Sequence, residues 1–123
     1  MIKNNDLSHY VVYYQFSPES QYLDRKSARK KPQELLKHLI AFANADGGQL
    51  IIGIEDEKLG NIITGFKDAR AYPIDEFKKI DREMRETPLD LSFEEIPVVN
   101  HKGEEDLILV ISVELSSNRV ITA

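Results

Sequence analysis

The sequence predicts an α+β domain in which two main helices pack on a mixed β-sheet, in the order β-α-β-β-α-β-β. Three observations predict it. Apolar residues recur at helical spacing in two stretches, around Leu35 to Ala43 and around Phe77 to Met84. Between them, Gln49 to Ile54 is a continuous apolar run bounded by turn residues, as in a strand buried on both faces. After them, two long β-prone segments flank the polar turn Asn100 to Glu105.

The elements follow in order. His9 to Phe16 is β-branched and aromatic and reads as a strand, with a short helix as the alternative. Ser17-Pro18 breaks that run, and Gln21 to Ser27 is a second short extended segment. Pro32 suits the first turn of a helix. Leu35, Leu36, Leu39, Ile40, Phe42 and Ala43 then form one apolar stripe. Gly47-Gly48 ends that helix, because glycine accepts the left-handed geometry of a C-cap. The strand Gln49 to Ile54 is expected to turn through Asp56 to Asn61, which contains Gly60, and to return as a strand over Ile62 to Phe66. Ile74 to Glu86 reads as the second helix, with Phe77, Ile80 and Met84 on one face and Pro88 as its stop. Leu89 to Val99 and Asp106 to Glu114 are the last two strands. In the second, Leu107, Leu109, Ile111 and Val113 alternate with Ile108, Val110 and Ser112, so it belongs in the middle of the sheet.

Bulk properties narrow the function classes. The 123 residues make one domain with room for a substantial core. Hydrophobic residues are 41% and charged residues 30%, ordinary for a globular chain. No apolar run approaches the ~20 residues that span a bilayer. The first six residues lack the apolar segment of a signal peptide. There is no cysteine, so disulfides and thiolate metal sites are excluded, which fits a cytoplasmic location. The net charge of -5 argues against a generic polyanion binder but leaves room for a local basic face. The residues after Leu115 do not complete an element, so the chain is expected to be the N-terminal part of a longer protein.

The motifs carry mixed signals. Gly48 and Gly53 have phosphate-loop spacing, but Ile54-Glu55 follow where Lys and Ser/Thr are required, and the glycines precede a strand instead of following one. Nucleotide hydrolysis is therefore rejected. Asn44, Gly47, Gly48 and Gly53 are assigned to turn geometry, with Asn44 able to cap by its side chain. Arg25, Lys26, Arg29, Lys30 and Lys31 form a cationic run suited to phosphates, or else a solvated loop beside acids such as Asp24. Glu19, Asp24 and Asp56 are acids near turns, and hard cations such as Mg²⁺ or Mn²⁺ want clustered oxygen ligands. In a chain with 21 acidic residues, solvated surface charge is the ordinary reading for all three. His9, His38 and His101 are scattered without zinc-ligand spacing.

Two segments carry a family resemblance. Glu19-Ser-x-Tyr-Leu-Asp-x-Lys26, and Ala41-Phe-Ala-Asn-x-x-Gly-Gly-x-Leu-Ile-Ile-Gly-Ile-x-Asp56 followed by Ile63-x-Gly65, resemble the Schlafen/AlbA-type DNA-binding domain, formerly labelled a divergent AAA domain. The resemblance spans about Ser17 to Ser117. It implies a nucleic-acid-binding α+β fold of the kind found at the front of bacterial transcriptional regulators and RecG-related proteins. In the animal Schlafen relatives three carboxylates form a metal-dependent endoribonuclease centre. The motif carries those acids onto Glu19, Asp24 and Asp56, and the family lysine onto Lys26. Asp24 departs from the glutamate common at its position and is one methylene shorter.

Three readings follow. The first is a nucleic-acid-binding domain of a bacterial transcriptional regulator, with Arg25, Lys26, Arg29, Lys30 and Lys31 on phosphates. The second is a nuclease in which Glu19, Asp24 and Asp56 hold Mg²⁺ or Mn²⁺. The third is a non-enzymatic protein-interaction or dimerisation module, whose best support is the net charge of -5; separately, exposed sheet edges invite pairing into a homodimer, though no residue fixes one.

Overall fold

A computed structural model describes residues 11–80 and 90–114. Residues 11–16 are helical (α1). Strand β1, Leu23–Lys26, follows. A single 3-10 turn, Pro32–Leu35, leads into α2, Leu36–Asn44. Strand β2 is Gly48–Ile52, helix α3 is Ile74–Lys78, and the last two strands are β3, Asp90–Val99, and β4, Glu105–Glu114.

The sheet order is β1-β2-β4-β3. Strands β1 and β2 run parallel, while β4 is antiparallel to both β2 and β3. The alternation in β2 and β4 sends side chains to two cores, one on each face. On one face Leu50, Ile52, Leu109, Ile111 and Val113 pack with Leu39 and Phe42 of α2 and Phe77 of α3. On the other, Ile51, Ile108 and Val110 pack with Leu23 and Tyr14. The predicted mixed α+β sheet, with β4 inside it, is therefore the observed one.

Two expectations need correction. The β-prone segment expected as a strand over His9 to Phe16 is helical over 11–16, the alternative noted for it; His9 and Tyr10 lie outside the described residues. Only Tyr14 is fully buried there, while Val12, Tyr13 and Phe16 are exposed, so the segment lays one side on the sheet instead of joining it. The returning strand expected over Ile62 to Phe66 is reduced to one bridge, Ile54 to Ile63. Beyond it the chain folds over: Thr64 and Gly65 both donate N–H to the Gly53 carbonyl, and Phe66 and Lys67 donate N–H to the Asp106 carboxylate. The turn before it is a 3-10 turn, Glu57–Leu59, capped by Asp56, which accepts the Lys58 N–H at 3.1 Å. The predicted continuation of the second helix past Ile80, with its stop at Pro88, lies outside the described residues. Among the described residues no helix is long and apolar enough to cross a membrane.

Candidate nucleic-acid interface

Lys26 pairs with Ile52, so the carboxyl ends of the parallel strands β1 and β2 open at the same end of the sheet. The Gly53 N–H donates to the Lys26 carbonyl and holds the two chains together as they leave it. A cleft of about 520 Å³ lies there, lined by Arg25, Lys26, Ser27, Arg29, Lys30, Glu55, Asp56 and Leu59.

The five predicted cations separate into distinct environments. Lys30 and Lys31 are exposed. Arg29 is partly exposed and held: its Nε donates to Ser27 Oγ at 3.0 Å and its Nη2 to Glu55 Oε1 at 3.0 Å. Lys26 is paired with Asp24 at 3.3 Å. Arg25 does not take the role predicted for it. It is 0% exposed, and its guanidinium donates from Nε to the Tyr14 carbonyl at 2.6 Å and from Nη2 to the Ser17 carbonyl. The physical reason is strand alternation: Leu23 and Arg25 are buried, while Asp24 and Lys26 stay half-open to solvent. Arg25 thus neutralises the carbonyl end of α1 from inside the molecule and borders the cleft beneath its surface.

Of the three predicted acids, the structure joins two. The Arg25 N–H is shared by Glu19 Oε2 at 3.0 Å and Asp24 Oδ1 at 2.8 Å, which sets the two carboxyls side by side. The adjacent Asp24 carboxyl, with burial adding to it, raises the Glu19 carboxyl above its ordinary value. Burial also works against ionisation of Asp24. It is outweighed by the adjacent Glu19 carboxyl, the Lys26 charge and the Arg25 N–H, and Asp24 ends below its ordinary value. His38 Nδ1 lies 3.7 Å from Asp24 Oδ2. Burial first, then the Lys26 and Lys37 charges, lower its pKa against the pull of Asp24, so at neutral pH this contact is not an ion pair.

Asp56 stands on the cleft wall, where its carboxylate caps the Glu57–Leu59 turn. The neighbouring Glu57 accepts the Glu19 N–H at 3.4 Å. Among the described residues no three His, Cys, Asp or Glu side chains are grouped to hold a metal ion. Glu19 Oε2 and Asp24 Oδ1 are engaged by the Arg25 N–H, and Asp24 Oδ2 by Lys26. As arranged, these oxygens are committed to protein partners and do not form a divalent-cation site.

The turn residues act through backbone. Asn44 is exposed at the end of α2, and the N–H groups of Ala45 and Gly47 close the turn on the Phe42 carbonyl at 3.1 and 2.6 Å. Gly47 has φ 98°, and a Cβ there would sit 2.7 Å from the Val113 carbonyl oxygen.

One residue of the cleft escaped the sequence reading. Glu55 is 5% exposed and is bonded to both Arg29 and Thr64. Its signal was present: a carboxylate closing an apolar buried strand must find a cation or donors.

A family profile described as Schlafen, AlbA_2 matches residues 19–123 of this chain. A search of curated proteins finds no match.

Proposed function

The chain belongs to the Schlafen AlbA_2 family, and from that premise we propose that it binds nucleic acid through the cleft at the carboxyl ends of β1 and β2. The observation that carries the reading is the presence of Arg29 and Lys30 in a cleft at the open end of a parallel strand pair. Such ends are where open sheets with parallel strands receive ligands. Cations fixed in a concave site neutralise backbone phosphates and release their counterions. Arg29 and Lys30 are assigned direct phosphate contacts, and Lys31 a flanking one. Lys26 also lines the cleft, on the side of Asp24. The larger setting we propose is a cytoplasmic bacterial transcriptional regulator of the RecG-related kind, with the domain as its nucleic-acid-contacting part.

The test is a fluorescence-anisotropy titration with labelled duplex DNA, single-stranded DNA and hairpin RNA at two salt concentrations. Binding that weakens steeply with salt supports the reading. No binding to any of the three at low salt overturns it.

Cleavage is a second proposal, and its support is the adjacency of Glu19 and Asp24 beside a cleft that also holds Asp56. It requires these acids to regroup around a cation. Incubating the best-bound ligand with Mn²⁺ tests it: metal-dependent products that Asp56→Ala abolishes, with binding retained, would establish it. An intact ligand would remove it.

A further inference from the structure

We propose that Glu55 and Ser27 are positioning residues that hold the Arg29 guanidinium in one orientation for a phosphate group of the nucleic-acid backbone. This deepens the nucleic-acid reading and rests on it. The starting observation is a carboxylate buried where the chain leaves β2. Burying an ionised carboxylate is costly unless its oxygens are fully engaged. Both oxygens of Glu55 are: Oε1 accepts Arg29 Nη2 at 3.0 Å, and Oε2 accepts Thr64 Oγ1 at 2.8 Å. Thr64 is itself fixed, because its N–H donates to the Gly53 carbonyl at 3.0 Å. The Glu55 carboxylate is thereby a rigid reference point at the edge of the cleft.

Arg29 is tied to that point and to a second one. Ser27 Oγ accepts both the Arg29 N–H at 3.2 Å and the Arg29 Nε–H at 3.0 Å. A long side chain that would otherwise sample many rotamers is pinned at its base, at Nε and at Nη2. The side chain nevertheless keeps 34% of its surface open, and it lines the cleft. A guanidinium presents five N–H donors in a fixed fork. The donors not used by Ser27 and Glu55 have no protein partner among the described residues. Lys30, beside it, is exposed and makes no ion pair among the described residues. The cleft therefore offers an oriented fork with an exposed lysine charge beside it. Fixing the fork before binding removes the side-chain entropy a phosphate would otherwise have to offset.

The position of Glu55 gives this inference a sign that simple electrostatics does not share. Glu55→Gln makes the cleft more positive, so Coulomb attraction alone predicts tighter binding with a steeper salt dependence. Loss of orientation predicts the opposite. Gln keeps the size of the side chain and a hydrogen-bond acceptor, but exchanges an ion pair with Arg29 for a weaker bond in which only the guanidinium is charged.

The experiment measures anisotropy with fluorescein-labelled single-stranded DNA and hairpin RNA on the wild-type chain and on Glu55→Gln, Ser27→Ala, Arg29→Lys and Lys30→Glu. We expect Glu55→Gln to weaken binding about tenfold despite its added positive charge, and Arg29→Lys, which keeps the charge and loses the fork, to do the same. Ser27→Ala, which changes no charge, should weaken it about threefold. In the free protein the Arg29 Nε–H NMR signal should be ordered in the wild type and averaged in Glu55→Gln, a readout that overall stability does not move. Should Glu55→Gln fail to fold, Ser27→Ala and Arg29→Lys decide. Equal or tighter binding by Glu55→Gln, or by both of the other variants, while Lys30→Glu weakens it, overturns the positioning role and leaves the nucleic-acid reading standing. A wild-type chain that binds neither probe overturns both.

Discussion

Arg25 and Lys26 are neighbours with the same charge, and the fold gives them opposite roles. Arg25 turns inward and ties β1 to α1 through two backbone carbonyls, whereas Lys26 faces outward to Asp24. A run of cations in a sequence cannot be sorted this way until the strand is known to have one buried side, and here that side is covered by the helix at 11–16. Hydrogen bonds to a charged group are worth about 1.5–3 kcal/mol each. Arg25→Ala should therefore lower stability by about 3 kcal/mol, read as a shifted urea midpoint, and Arg25→Lys should recover little of it because an ammonium lacks the fork that reaches both carbonyls. The acids beside it set a pH response. His38 has a folded pKa below its ordinary 6.5, so its contribution is present above 6.5 and lost as pH falls through the folded value. Asp24 is likewise depressed, and its contribution is lost only at still lower pH, below 3.8. Glu19 is raised above 4.5, so its contribution is present in acid and lost as pH rises through the folded value. Two outcomes follow. The His38 imidazole should titrate below 6.5 by NMR and move upward in Lys26→Met. Glu19→Gln should be more stable than the wild type at pH 7, with the difference closing as the pH drops towards 4.

At the scale of elements, the sequence is most legible where burial is two-sided. The runs that became β2 and β4 have apolar residues on both faces, and no other role suits them. The glycine pair after α2 was equally clear, because a helix that reverses directly into a strand needs a left-handed residue. Legibility failed where local propensity and tertiary context disagree. Residues 11–16 look like a strand, yet the position they take lies across the sheet face, where Arg25 satisfies the helix end. Ile62 to Phe66 looks like a strand, yet Asp106 captures the Phe66 and Lys67 N–H groups, which a longer hairpin would have needed. Asp106 is forty residues downstream of Phe66 and invisible to a local reading. The glycine argument can be tested by a contrast. Gly47 and Gly60 both have positive φ, 98° and 81°. A Cβ at Gly60 meets nothing within 4 Å, whereas one at Gly47 meets the Val113 carbonyl of the neighbouring strand. Gly60→Ala should cost about 1 kcal/mol from backbone strain alone, and Gly47→Ala clearly more, about 3 kcal/mol, with thermal denaturation as the measure. Equal losses would mean that the α2–β2 turn yields without disturbing β4.

For the whole molecule, the question the proposed function raises is how a chain of net charge -5 would engage a polyanion. The long-range field of the protein opposes approach, and that opposition is screened beyond about 8 Å at physiological ionic strength. On the proposed reading, binding would come from short-range contacts in the cleft, and those contacts can be counted. Each phosphate neutralised contributes about 0.7–0.9 to the slope of log affinity against log salt. Lys30→Glu removes one cleft contact and should reduce that slope by about one such unit while lowering affinity at every salt concentration. Lys79→Glu is the control. Lys79 is exposed at the end of α3, outside the cleft lining, and its reversal changes the net charge by the same amount. If total charge governs binding, the two variants will weaken it alike. If the cleft governs it, Lys79→Glu will keep the wild-type slope, with only a small loss of affinity at low salt that disappears as salt rises. The measurement thus separates a local interface on an acidic protein from weak association set by overall charge, and it does so without knowing which nucleic acid is preferred.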